Sequence, residues 1–183
     1  MMIATDRADR GAESGLSLIE LMIAMLVSTI VILGAATILV NSWLTQEDVS
    51  STTKATTRGQ LMGSTIERAM RNAKDFIVSP SDDNATELRV WTSLGGNKTC
   101  QAFQLATGEA RIASSTSTLP AAGTWGDWEV GVQQQGTTPF FQRTGNTVIY
   151  TFQLETDSAP VSISGQAKMR TIHDPGETSP CWP

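Results

Sequence analysis

From Leu16 to Val40 the chain carries one charged side chain, Glu20, and no further charge appears until Glu47. A helix rises about 1.5 Å per residue, so a run of this length can cross a hydrocarbon layer roughly 30 Å thick. The carboxylate sets the stretch apart. A charge on a membrane helix costs on the order of 2.5–3.5 kcal/mol at the bilayer centre, less near the interface, and usually marks function. Three readings compete. A secretory signal peptide would explain Arg7 and Arg10 before an apolar core and the small residues Gly34-Ala35-Ala36 as a cleavage site. Glu20 inside the core, and apolar residues continuing through Ile38-Leu39-Val40, speak against it. An ordinary signal anchor fits the length and leaves Glu20 unexplained. A helix that starts in the membrane and later packs into a helical assembly accounts for both, because a buried carboxylate there can pair with a neighbour's cation.

The segment Gly15-Leu16-Ser17-Leu18-Ile19-Glu20-Leu21-Met22 resembles the type IV prepilin signal of pilins and pseudopilins. In that family a hydrophilic leader ends in Gly, a hydrophobic residue follows, and Glu is the fifth residue of the mature chain. The resemblance implies cleavage after Gly15 and N-methylation of Leu16 by a membrane prepilin peptidase. It also implies a register role for Glu20 in a filament. Two departures stand out: Leu16 replaces the commonest Phe, and the leader is mixed in charge. Arg7 and Arg10 are countered by Asp6, Asp9 and Glu13, so retention of the leader in the cytoplasm by positive charge is weaker than usual. More loosely, Arg68-Ala69-Met70-Arg71-Asn72-Ala73 and the strand group from Val148 to Arg170 resemble W-type minor pilins and J-type minor pseudopilins of type II secretion.

The resemblance implies an α+β chain with four parts: a leader over 1–15, a membrane and assembly helix over 16–42, an amphipathic continuation over 43–78, and a β-rich exported domain over 79–183. The residues support this division. Trp43 suits an interfacial anchor where the helix leaves the bilayer. Leu61, Met62, Ile66, Ala69, Met70, Ala73 and Ile77 recur at helical spacing, so one helix is expected from Leu16 to about Phe76. The Ser- and Thr-rich stretch before this stripe, with Gly59 and Gly63, reads as a place for a bend or fraying. From Thr86 the period changes to alternation, through Glu87–Thr92, Cys100–Leu105 and Glu109–Ala113, as in an antiparallel meander. Ser114–Gly126 reads as a surface loop and Trp128–Val132 as a strand. Thr147–Leu154 is the strongest strand, and Pro160–Ser164 with Ala167–Ile172 reads as a final pair.

The net charge is −5, and −4 without the leader, which argues against general polyanion binding. The two cysteines, Cys100 and Cys181, both follow the membrane helix, so in an oxidising compartment a disulfide between them is the default expectation, with two buried thiols the alternative. No CxxC or Cys/His cluster supports zinc. His173, the single histidine, lies beside Asp174-Pro175 with no nucleophile elbow in sight, so no catalytic residue and no cofactor is expected. Asp82, Asp83, Asn84 and Glu87 could offer oxygens to calcium, though without the spacing of an EF-hand loop, so a solvated turn is the stronger reading. Arg68, Arg71 and Lys74 form a basic stripe that could meet nucleic acid, diluted by Glu67 and Asp75, which leaves that partner unsupported. Trp91, Trp125 and Trp128 are as well suited to a sheet core as to stacking on bases or sugars.

The expected function is thus a structural minor subunit of a type IV pilus or type II secretion filament. Its partners would be other pilins, the prepilin peptidase, an inner-membrane assembly platform and, before assembly, membrane lipid. The alternatives are a tip module that binds DNA, a surface or cargo through Ser114–Gly126 and Gly136–Pro139, and a simple signal-anchored protein.

Overall fold

A computed structural model describes residues 17–80, 85–93, 97–170 and 179–182. Among the described residues the first element is a helix, α1 (Leu18–Arg71), and nine strands follow it. The chain divides into two compact units, residues 1–45 and 46–183, and α1 contributes to both. In the first unit its large apolar side chains, from Leu18 to Leu44, are all exposed, between 46% and 78% for the large ones. In the second unit Ala55, Gly59, Met62, Gly63, Ile66, Ala69 and Met70 are buried, three or four residues apart, which makes one apolar face.

That face is covered by two antiparallel sheets. The first orders its strands as β1 (Ala73–Ser79), β2 (Glu87–Thr92), β3 (Thr99–Ala106), β4 (Glu109–Ser115) and β5 (Gly126–Val130), a simple meander. The second is centred on β8 (Thr147–Leu154). β9 (Val161–Lys168) pairs with it over all eight residues, while β7 (Phe141–Thr144) and β6 (Val132–Gln133) pair with its beginning and its end. Arg143 of β7 joins the sheets: its guanidinium donates to the Phe76 carbonyl at 2.6 Å and lies 4.3 Å from the Phe76 ring centre. The core beneath α1 is built from Phe76, Leu88, Val90, Phe103, Leu105, Phe141, Val148, Phe152 and Leu154, each 2% exposed or less. The α+β architecture expected from the sequence, a long N-terminal helix with antiparallel sheets, is the one present.

Four local expectations are corrected. The helix stops at Arg71, short of Phe76, because Asn72 turns back on the last turn, its amide side chain donating to the Arg68 carbonyl. Ala73–Ser79 then pairs with β2 as a strand. Its Phe76-Ile77-Val78 run favours a pleated surface, and a chance helical spacing of Ala69, Ala73 and Ile77 had masked it. Leu61, assigned to the buried stripe, is 63% exposed. Gly59 and Gly63 lie within continuous helix, not at a break. The absent side chains are needed for contact: a Cβ at Gly59 would sit 2.5 Å from Ile163, and one at Gly63 would sit 2.7 Å from the Tyr150 hydroxyl. The final pair of strands is one strand, β9, running through Gly165, where a Cβ would lie 2.2 Å from the same hydroxyl.

A second, smaller core lies on the other face of the first sheet. Trp91, Cys100, Ala102, Leu119, Trp125 and Cys181 cluster there, with Trp182 against them. The Cys100–Cys181 disulfide is formed, with Cα atoms 5.4 Å apart and a sequence separation of 81. The Leu119 amide donates to the Cys181 carbonyl, and the Trp125 indole donates to Pro120 at 2.9 Å. The stretch between β4 and β5, expected as a surface loop, is largely exposed and is anchored by the buried Leu119 and Trp125. Closing a loop of this length contributes roughly 4 kcal/mol in the chain-entropy account. Reduction is expected to lower the melting midpoint by about 10 °C and to red-shift tryptophan fluorescence as Trp91 and Trp125 meet water. A midpoint insensitive to reductant would contradict the pinning role.

Candidate functional site

Glu20 lies in the first turn of α1, the turn that opens with the Leu21 amide donating to the Ser17 carbonyl at 3.1 Å. At that end of a helix the unpaired amides favour a carboxylate. Gly15 and Leu16, the residues of the expected cleavage and methylation, lie outside the described residues. Beyond Glu20 the helix is long and apolar enough to cross a membrane. Four of its hydroxyls are satisfied locally. Thr29 donates to the Met25 carbonyl, Thr37 to Gly34, Ser42 to Ile38 and Thr45 to Asn41, each at 2.8–2.9 Å. A hydroxyl satisfied by its own helix adds little cost in an apolar setting. Glu20 has no such recourse, so it is the side chain in this span with the most to gain from a partner outside the helix.

In the second unit the helix is locked to both sheets by polar contacts that frame its apolar face. Arg58 makes a two-pronged pair with Glu129 of β5, whose side chain is 14% exposed. On the second sheet, the Tyr150 hydroxyl donates to Glu67 at 3.0 Å, and the other Glu67 oxygen pairs with Arg71 at 2.6 Å. Burial pushes the Tyr150 phenol well above its ordinary value, and the hydrogen bond and negative charge of Glu67 add to it. The Tyr150 ring occupies the space left by two missing Cβ atoms, those of Gly63 on the helix and Gly165 across the strand pair. This Gly63–Tyr150–Gly165–Glu67 arrangement was not anticipated from the sequence. The signal available was a tyrosine amid the strong alternation of β8, directly before Thr151 and Phe152.

The other candidate sites are not brought together. Arg71 pairs with Glu67, and Lys74 lies 5.3 Å from the centre of the Trp91 ring, so the basic stripe is divided among separate contacts. Glu87 pairs with Arg89 at 2.9 Å and accepts from Gln104, while Asp82, Asp83 and Asn84 lie outside the described residues, as does His173. Trp91 and Trp125 are buried, and Trp128 packs against Phe103 with ring centres 5.4 Å apart. Trp91 and Trp125 therefore offer no open stacking face of the kind a base or sugar needs. Among the described residues no cluster of three metal-ligating side chains occurs.

Residues 10–36 match the family model described as the prokaryotic N-terminal methylation motif. No curated protein and no solved structure matches the chain. The matched segment contains Gly15, Leu16 and Glu20 and the first half of the apolar span. It supports a processed subunit of the type IV pilin or pseudopilin kind, with membrane anchoring through the apolar helix before assembly into a filament.

Proposed function

We propose that this chain is a minor subunit of a type IV pilus or type II secretion filament, processed after Gly15, methylated at Leu16 and assembled through α1. The observation that carries the reading is the methylation motif over residues 10–36, which runs into a helix whose large apolar side chains from Leu18 to Leu44 are exposed among the described residues. A surface of that kind needs either lipid or other helices. Before assembly lipid covers it, and afterwards neighbouring subunits do, with Glu20 selecting the axial stagger. The minor role, as opposed to that of the main building block, rests on the looser likeness of Arg68–Ala73 and the late strands to W-type and J-type subunits. A place early in assembly fits that likeness. The second unit, with its own two cores, would project from the filament.

The test is the processed N-terminus. Mass spectrometry of the membrane and filament fractions is expected to find a chain beginning at Leu16 and carrying one methyl group. A chain beginning near Ala36, or an intact leader on assembled protein, would refute the reading.

A further inference from the structure

Among the described residues β9 is an edge strand, and its open side has a definite hydrogen-bonding pattern. The Met169 amide donates to the Asn146 carbonyl at 2.9 Å, and the pairing register continues without a shift from Thr147↔Lys168 to Leu154↔Val161. In an antiparallel pair, residues exchanging both bonds alternate with residues exchanging none. Ala167, Gly165, Ile163 and Val161 are therefore the ones bonded to β8. The amides and carbonyls of Ser162, Ser164 and Gln166 point away from the sheet, and all three residues are exposed. Edge strands are ordinarily blunted by proline, bulges or inward charges. From Val161 to Lys168 there is no proline or bulge, and the one charge is Lys168 at the end.

The ground beside this edge is polar and acidic. A groove of about 380 Å³ runs between β9 and α1, with Ser162, Ile163 and Ser164 on one wall, Gln60, Ser64 and Glu67 on the other, and Tyr150 between them. At the β8–β9 turn a second groove of about 350 Å³ brings Glu47, Glu155 and Asp157 together with Lys54 and Arg58. The two grooves hold four carboxylates against two cations; Arg58 is committed to Glu129 and Glu67 to Arg71 and Tyr150, which leaves Glu47, Glu155 and Asp157 facing Lys54.

We propose that the open edge of β9 is a strand-addition site for an extended, basic segment of another polypeptide. The segment's main chain would bond to Ser162, Ser164 and Gln166. Its alternate side chains would enter the groove, placing a lysine or arginine near Glu67 and another toward Glu155 and Asp157. Strand addition takes its affinity from main-chain hydrogen bonds and its selectivity from the pockets that receive alternate side chains. The acidic lining makes the selected class basic.

The site can be tested without a filament, on the full-length chain in a zwitterionic detergent. The probes are a fluorescent eight-residue peptide alternating lysine and valine and a twin with glutamate for lysine. The basic peptide is expected to bind at least about ten-fold tighter than its twin and to slow exchange of the Ser162, Ser164 and Gln166 amides by a similar factor. Ser164→Pro removes an outward donor without touching the β8 pairing, and should weaken binding about ten-fold at an unchanged melting midpoint. Glu67→Gln, which still accepts from Tyr150, should narrow the preference for the basic peptide. Absence of binding, equal binding of the acidic twin, or binding that leaves these three amides unprotected would overturn the proposal. The last criterion holds even if Ser164→Pro lowers the midpoint.

Discussion

Glu20→Gln precursor is expected to insert and to be cleaved after Gly15, yet to reach filaments at a small fraction of the wild-type level. Cleavage after Gly15 would leave a positive amine on Leu16, four residues from the carboxylate in sequence. In a bundle of such helices a neighbour's amine can reach the same carboxylate, but only at one axial stagger. Any other stagger leaves a charge unpaired among apolar side chains. Breaking a buried pair costs roughly 3–5 kcal/mol, which at about 1.4 kcal/mol per decade amounts to a factor of a hundred or more in the occupancy of the right register. Between Leu18 and Leu44 no other charged residue could substitute. Glu20→Leu makes a better membrane span and is expected to fail at the same step, which separates assembly from insertion. Immunoblots of sheared filaments against total membranes measure the ratio directly. Wild-type incorporation of Glu20→Gln would place the subunit at the extreme tip, where no subunit lies ahead of it, or end the pairing account.

Gly165→Val is expected to be among the most damaging single changes in the second unit. The new Cβ would lie 2.2 Å from the Tyr150 hydroxyl oxygen and 2.5 Å from its ring carbon. The ring has little room to retreat, because the same hydroxyl sits where a Cβ on Gly63 would come within 2.7 Å. Overpacking of this kind costs on the order of 1–3 kcal/mol or more, a fall of about 3–12 °C in melting midpoint for a unit of this size. Combining it with Tyr150→Ala should cost less than the sum of the two single changes, the mark of direct contact. Alkaline titration adds a second readout. The folded-state pKa of Tyr150 is raised above the unfolded value near 10, chiefly by burial and then by Glu67. Its stabilising contribution is therefore complete below about pH 10 and is lost as the pH rises beyond it, since only the unfolded chain readily gives up that proton. Tyr150→Phe should flatten this part of the stability–pH curve while costing about 1 kcal/mol at neutral pH for the lost hydrogen bond. An alkaline limb of the same steepness in Tyr150→Phe would show that another group is responsible.

Much of this was legible in the residues, for reasons that differ from element to element. The apolar run and its lone Glu20 could be read because membrane crossing depends on length and on the absence of charge, both local properties. The alternation of Thr147–Leu154 could be read because one face of β8 is buried in the pattern its period demands, and the structure buries Val148, Tyr150, Phe152 and Leu154. The end of α1 could not. Ala73, Phe76 and Ile77 fall at helical spacing, and it is pairing with β2 that makes the segment a strand.

The glycines mark the same boundary from the other side. A sequence shows that Gly59, Gly63 and Gly165 lack side chains, and local propensity then predicts weakness. Only the packed molecule shows that the missing atoms are occupied by Ile163 and Tyr150, so that what is weak in an isolated helix becomes the point of closest approach. By itself the sequence determined a membrane-length helix with a processing motif and one carboxylate, followed by an alternating, disulfide-competent domain. These follow from composition and periodicity along the chain. The tertiary structure decided where the helix yields to a strand, which face Gly63 presents to Tyr150, that Leu119 and Trp125 are anchored beneath the disulfide, and that β9 is left with an open edge. Each of these depends on residues far apart in sequence competing for the same volume and the same hydrogen bonds, and no local pattern encodes the outcome of that competition.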